Sequence, residues 1–142
     1  MRKIAVKRND GGVSIIIPAN EATPELLLRD ALEIKEYVSH REIDDAQLPN
    51  DRYFRDAWTD DLPTETVDII PEKALEIKKD KLRALRTPKL EALDVEFMRS
   101  IELGDAVLQA EIAAKKQILR DVTLNLPIDL EELKNYMPDC LK

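Results

Sequence analysis

Residues that favour helix dominate the second half of this chain, and this constrains the fold more than any other feature. From Pro71 to Arg120 the apolar residues recur at spacings of three and four, the pattern of amphipathic helices. Gly104 is a helix stop and Asp105 a cap for the helix that follows. We therefore predict an antiparallel αα-hairpin whose second helix spans residues 106–120.

The apolar residues of the two predicted helices form stripes that should pack mainly on each other. They are Leu75, Leu82, Leu85, Leu90, Leu93, Phe97 and Ile101 in the first helix, and Val107, Leu108, Ile112, Ile118 and Leu119 in the second. Thr87-Pro88 falls inside the first helix, and we expect a kink or a break there because proline lacks an N–H and clashes with the preceding turn. Farther on, Asp129 and Glu132 have the spacing of a capping box, which predicts a short terminal helix closed by Pro138.

The first 17 residues have the pattern of a β-hairpin. Ile4 and Val6 alternate with Lys3, Ala5 and Lys7, and Asn9-Asp10-Gly11-Gly12 supplies residues that accept positive φ. Val13 to Ile17 is the predicted return strand. A helix capped by Thr23 follows, and Tyr37-Val38-Ser39 is a candidate third strand beside the hairpin.

Together these elements predict an α+β protein with a small N-terminal β-hairpin/helix unit and a C-terminal αα-hairpin that ends in a short helix. We place the first unit at residues 1–70, including an aromatic segment at 50–58, and the helical unit at 71–142. Val67, Ile69 and Ile70, in the segment that joins them, predict a short strand or packed extended chain.

The aromatic segment is unusual because the 142 residues contain only six aromatic side chains, and three of them lie in six positions. Phe54 and Trp58 are four residues apart, so in a short helix they would stack on one side. We therefore predict a short amphipathic helix here, whose Phe54 and Trp58 form a peg that docks onto the long helices or the β unit. The alternative is a partner-binding surface formed by Tyr53, Phe54 and Trp58, and both interpretations remain open from the sequence.

The sequence has no pattern that predicts catalysis. His40 is the only histidine and Cys140 the only cysteine, which leaves no Ser-His-Asp or Cys-His arrangement and no histidine-based zinc set. The three glycines do not form a phosphate-binding or dinucleotide fingerprint. We expect no enzyme activity, no cofactor, no metal and no small-molecule substrate.

The net charge of −7 is distributed unevenly along the chain. Residues 21–72 carry fifteen acidic and five basic side chains, a net −10, whereas residues 73–101 carry eight basic and five acidic ones, a net +3. The basic run from Lys78 to Lys89 is interleaved with acidic residues, which predicts a solvated face with internal ion pairs rather than a nucleic-acid site. We expect Lys79, Arg83 and Arg86 to be candidate partner contacts whose reversal to Glu leaves the fold intact.

The segments "RYFRDAW", "VDIIPEKALEIKKDKLRALRTPKLEALDVEFMRSIELGD", "IAAKKQILRDVT" and "EELKNYMP" resemble a group of small uncharacterised proteins encoded among the tail and tail-fibre genes of tailed bacteriophages and prophages. The resemblance covers residues 48–142. "FRDAW" and "ILRD" are also similar to segments of tail-fibre assembly chaperones. Neither resemblance carries catalytic residues.

This resemblance implies a non-enzymatic structural or accessory protein of the virion, at the tail, neck or fibre attachment. Its partners would be other phage structural proteins, or copies of the chain itself in a symmetric assembly. The alternatives are an assembly chaperone for a tail or fibre protein and, third, a small nucleic-acid-binding regulator. We expect the chain to be assembled in the host cytoplasm and not inserted in a membrane, because the sequence has neither a signal peptide nor an apolar run long enough to span one.

Overall fold

The computed structural model describes residues 2–17, 29, 37–61 and 65–142. The helix predicted to begin at Thr23 lies outside these residues, apart from Arg29. The chain divides into two compact units, Met1–Ala74, here called the sheet unit, and Leu75–Lys142, the helical unit. Antiparallel strands come first and helices follow, so the protein belongs to the predicted α+β class.

The sheet unit is built on three antiparallel strands in the order β2-β1-β3. They are β1 (Lys3–Arg8), β2 (Val13–Ile16) and β3 (Tyr37–Ile43). Gly11 has a φ of 83°, and the amide of Gly12 donates to the Asp10 carboxylate at 2.8 Å, which closes the hairpin turn. The predicted hairpin and its third strand are both confirmed, and the third strand is longer than the three residues expected.

A second, two-stranded sheet joins the aromatic segment to the segment before the long helix. Its strands are β4 (Trp58–Thr59) and β5 (Asp68–Ile69), with Trp58 opposite Ile69. The predicted short helix over residues 50–58 is wrong: a single 3₁₀ turn at Arg55–Ala57 is followed directly by β4. The main-chain groups of β4 form hydrogen bonds with a strand ten residues farther along the chain. The i,i+4 spacing of the two rings gives no information about such a distant partner.

The helical unit consists mainly of α1 (Pro71–Glu102), whose first turn belongs to the sheet unit, and α2 (Ala106–Arg120). Between them Gly104 has a φ of 66°, and the Asp105 carboxylate accepts a hydrogen bond from the amide of Leu108 at 2.9 Å. The predicted stop, cap and bounds of the return helix are confirmed. After a 3₁₀ turn at Asp121–Thr123 come α3 (Leu130–Asn135), capped by Asp129, and a 3₁₀ turn at Asp139–Leu141.

Of the kink or break expected at Thr87-Pro88, the break is wrong, because α1 continues through Pro88. Proline removes the N–H that would bond the carbonyl of Ala84, one turn earlier. Ala84 and Pro88 are both exposed, so water can reach that carbonyl. The Thr87 hydroxyl donates to the carbonyl of Arg83 at 2.8 Å instead of capping a new helix.

The core of the helical unit is narrower than the predicted stripes. Leu82, Leu119, Val122 and Leu141 form its buried cluster, with partly buried residues around them. Four stripe residues that we expected inside are exposed: Leu85, Ile101, Val107 and Ile118. Because α2 has 15 residues against 32 in α1, one short partner cannot cover the whole apolar surface of the long helix.

Candidate protein-contact surface of the helical unit

The structure places the three aromatic candidate contacts differently from one another. Phe54 and Trp58 are each 3% exposed, whereas Tyr53 is half-buried. The rings of Tyr53 and Phe54 meet edge to face with centroids 4.8 Å apart. Trp58 packs with Ala5, Val13, Ile43 and Val67. Of the three, only Tyr53 presents a substantial surface to solvent.

The Trp58 indole has one unmet polar group. Its Nε1 is buried without a hydrogen-bond partner among the residues that the structure describes. A buried donor of this kind costs on the order of 1–3 kcal/mol. The burial of a large apolar ring must therefore outweigh this cost in the sheet unit.

The basic run on α1 has an unexpected structural role. Lys78 is 2% exposed, and its Nζ donates to the carbonyl of Lys134 at 2.9 Å, in the last turn of α3. Arg86 donates to the carbonyl of Arg120 at 2.8 Å, at the end of α2, and Lys89 donates to the carbonyl of Cys140 at 3.1 Å. Cations at helix C-termini satisfy carbonyls that lack intrahelical partners and oppose the helix dipole. Three basic residues thus fasten the later segments to α1.

The other two candidate contacts in the run are engaged locally. Lys79 pairs with Glu76 at 2.9 Å and Arg83 with Asp80 at 2.7 Å, both one helical turn away. These are the internal ion pairs predicted from the charge pattern. Arg86 differs from them, because its bond to Arg120 makes it part of the fold. The expectation that reversing all three leaves the fold intact stays a prediction for Lys79 and Arg83, whereas reversing Arg86 would remove a hydrogen bond of the fold.

Among the residues that the structure describes, most exposed large apolar side chains lie in the helical unit. In the described part of the chain twelve large hydrophobic residues are exposed, and ten of them lie in this unit. The ten are Leu85, Val95, Met98, Ile101, Leu103, Val107, Ile118, Leu124, Ile128 and Met137. Where such residues lie side by side, they mark an interaction site more often than an isolated exposed residue does.

One part of this surface is the turn between α1 and α2, here called the hairpin tip. It carries Met98, Ile101, Leu103 and Val107, of which Leu103 is 77% exposed. The segment from residue 96 to 111 has four acidic side chains and one basic side chain, so its net charge is −3. The tip is therefore apolar and acidic. Sequence patterning missed Met98 and Leu103, although apolar residues just before a helix-ending glycine were the available signal.

The second part is a groove of about 380 Å³ beside α1 and α2. It is lined by Lys89, Ala92, Leu93, Lys115, Ile118, Leu119 and Cys140. The two lysines are its only charged lining residues, so the groove is apolar and carries positive charge. The sequence did not predict it, because it depends on the last 3₁₀ turn lying against the two long helices.

The most buried ion pair among the described residues lies in the sheet unit, where it joins two segments of the fold. Arg41 Nε lies 3.0 Å from both carboxylate oxygens of Asp60, which is 3% exposed, and a second Arg41 nitrogen donates to the carbonyl of Glu65. The hydrogen bond to Asp60 raises the pKa of Arg41 above its usual value. Nearby, the pKa of Asp61 is lowered by hydrogen bonds from Lys7 and Thr59. These contacts tie β3 and β1 to the chain around β4 and β5.

Comparison with protein-family models, curated proteins and solved structures finds no significant match to this chain. Across residues 2–17, 29, 37–61 and 65–142, no three His, Cys, Asp or Glu side chains cluster closely enough to hold a metal ion. His40 is exposed, and its ring meets Tyr37 edge to face at 5.8 Å. Of the helices described, none combines the length and the apolar character needed to cross a membrane.

Proposed function

We propose that this chain is a non-enzymatic structural or accessory protein of a tailed-phage virion, at the tail, neck or fibre attachment. It acts by protein–protein contact through the apolar surface of the helical unit. The observation that carries the proposal is the concentration of ten exposed large hydrophobic residues on that unit. The placement in a phage rests on the sequence resemblance, and the mode of action rests on this surface.

The physical reason is the free energy of covering such a surface. Burying apolar area contributes about 25 cal/mol per Å², and a monomer rarely leaves large contiguous patches exposed. Met98 and Ile101 are 59% and 49% exposed on the same end of α1, next to Leu103. A virion protein with an apolar recess and a basic or neutral rim would cover them and complement the negative charge of the tip.

An assembly chaperone is the second candidate function. The same apolar surface could mask a tail or fibre protein and release it before the particle matures. The groove of about 380 Å³ favours this candidate, because it can accept side chains of a client segment without a large interface. Nucleic-acid binding has less support, because Lys78, Arg86 and Lys89 are bonded to main-chain carbonyls within the helical unit.

Quantitative mass spectrometry of purified particles from the encoding phage or prophage tests the proposal. We expect a fixed copy number per particle that survives washing and nuclease treatment. Absence from particles, combined with rescue of an insoluble tail or fibre protein on co-expression, would identify the chaperone instead. Absence with no such rescue contradicts both.

Variants locate the contact. The double substitution Met98→Glu with Ile101→Glu should lower incorporation into particles at least about tenfold, because it places two charges in an apolar interface. Val38→Glu is the matched control, since Val38 is 62% exposed and belongs to the sheet unit rather than to the helical unit. Equal incorporation of the double variant and the control would show that the hairpin tip is not the contact.

A further inference from the structure

We infer that the hairpin tip of one copy docks into the groove of a second copy, so that the chain associates head to tail. This inference deepens the proposed function, because it names one partner of the apolar surface, and it rests on the proposal that this surface is an interface. Its two halves are the tip around Leu103 and the groove beside α1 and α2.

Charge and apolar character are complementary between the two sites. The tip presents Leu103 next to Glu102 and Asp105, within a segment of net charge −3. The lining of the groove is apolar apart from Lys89 and Lys115. An apolar side chain entering this groove brings its acidic neighbours toward the two lysines, which favours this orientation over others.

The size of the groove selects the kind of segment that fits. A helix with its side chains is roughly 10–12 Å across, too wide for a groove of about 380 Å³ to enclose along its length. The end of a hairpin presents one or two side chains at a turn. Leu103, 77% exposed beside Gly104, is such a side chain.

A tip cannot reach the groove of its own chain. Ala92 in the groove and Glu102 at the end of α1 are ten residues apart on one continuous helix, a separation of roughly 15 Å at 1.5 Å per residue. The helix holds the two sites apart, so the contact must join different copies. Because the tip and the groove are different patches, the contact is heterologous and each copy retains one free tip and one free groove.

Such a contact is small, so it should be weak for a single pair. Interfaces below about 1,200 Å² belong to transient encounters, and we expect a dissociation constant of roughly 10 µM to 1 mM. Closure into a ring, or support from another virion protein, would strengthen it by multivalency. Salt should weaken it as the Debye length falls from about 10 Å at 0.1 M to about 3 Å at 1 M.

The test is sedimentation equilibrium on the purified full chain and on two variants. Leu103→Asp places a charge in the tip and leaves the groove unchanged. Ile118→Glu places a charge in the groove and leaves the tip unchanged. Both residues are exposed, so each variant should retain the circular dichroism of the original chain. We expect the original chain to associate with rising concentration and each variant alone to associate at least about tenfold more weakly. Ile128→Glu, at a residue 92% exposed outside both sites, is the control and should associate normally.

Mixing the two variants is the most decisive experiment. The intact tip of the Ile118→Glu variant fits the intact groove of the Leu103→Asp variant, so the mixture should form one-to-one dimers and nothing larger. No dimer in the mixture overturns the inference, as does an original chain that stays monomeric at about 1 mM. If either variant fails to fold, Glu102→Lys and Lys115→Glu replace them: each alone should weaken association, and both in one chain should restore it. A chain that is monomeric in solution but present in particles refutes this contact and leaves the proposed function standing.

Discussion

Replacing Trp58 by alanine should unfold the sheet unit far more readily while the end of the helical hairpin stays protected. The ring is 3% exposed and packs against four buried residues of the strands and of the chain before β5. Truncating a buried aromatic residue to alanine costs about 3–5 kcal/mol, from lost burial and from the cavity that remains. The indole Nε1 has no partner among the described residues, so no hydrogen bond adds to this loss.

Hydrogen–deuterium exchange with mass spectrometry measures this effect segment by segment. A loss of 3–5 kcal/mol corresponds to exchange roughly 10²- to 10³-fold faster, or more, in β1, β2 and β3. Peptides from α2 should keep their original rates. Trp58→Phe is the matched control: it keeps most of the apolar ring and removes the buried unpaired N–H, so it should cost less than about 2 kcal/mol.

Trp58 does not stabilise the sheet unit as a core residue if Trp58→Ala changes strand exchange by less than about fivefold, which corresponds to about 1 kcal/mol. If Trp58→Phe is as damaging as Trp58→Ala, the indole N–H instead has an essential partner. Unchanged exchange together with lost incorporation into particles would make Trp58 a contact residue.

Three further changes probe the polar contacts. Arg41→Leu should lower the free energy of unfolding of the sheet unit by about 2–4 kcal/mol in urea titrations, because it leaves the Asp60 carboxylate buried without its partner. Adding Asp60→Asn to this variant should recover part of the loss. Arg86→Glu should lower the free energy of unfolding of the helical unit, measured by thermal unfolding, by about 1–2 kcal/mol, because it removes a hydrogen bond at the end of α2. Arg83→Glu, on the solvated face, should lower it by no more than about 0.5 kcal/mol. The stability of the folded chain should fall on acidification, because the pKa of Asp61 is lower in the folded state than in the unfolded state. The contribution of the ionised Asp61 carboxylate to stability is fully present above its unfolded pKa, near 4, and is lost as pH falls through its folded pKa. Asp61→Asn should flatten this part of the pH profile, and an unchanged acid limb would contradict the assignment.

Features set by neighbouring residues could be predicted from the sequence. The turn at Gly11 and the helix stop at Gly104 both need positive φ, and the carboxylates of Asp105 and Asp129 cap helices through amides two or three residues away. These interactions close within one turn of chain. The fold class and the return helix follow from them.

Features that depend on distant partners could not be predicted. Trp58 belongs to a strand because Ile69 pairs with it, and Arg86 is structural because α2 ends beside it. The spacing of Phe54 and Trp58 fits a helix equally well, so only the distant strand decides between the two. Pro88 is a case in which a local rule gave the wrong expectation. Proline usually ends a helix, but α1 continues through Pro88, where the carbonyl that loses its N–H partner is exposed to water.

The same distinction applies to the candidate surface. The apolar stripe predicted Ile101, Val107 and Ile118 as core residues, since periodicity reports apolar faces and not what covers them. Whether a face is buried depends on the length and placement of the partner helix. The groove depends in addition on Cys140, far along the chain from Lys89.

Photocrosslinking from position 103 in assembled particles tests the central claim most directly. A photoreactive amino acid replaces Leu103, which is exposed and outside the core. We predict a crosslink to a virion protein, including another copy of this chain, and none of comparable yield from position 38 on the sheet unit. Particles that contain the chain but give no crosslink from position 103 would contradict contact through the hairpin tip, and particles that lack the chain would contradict its place in the virion.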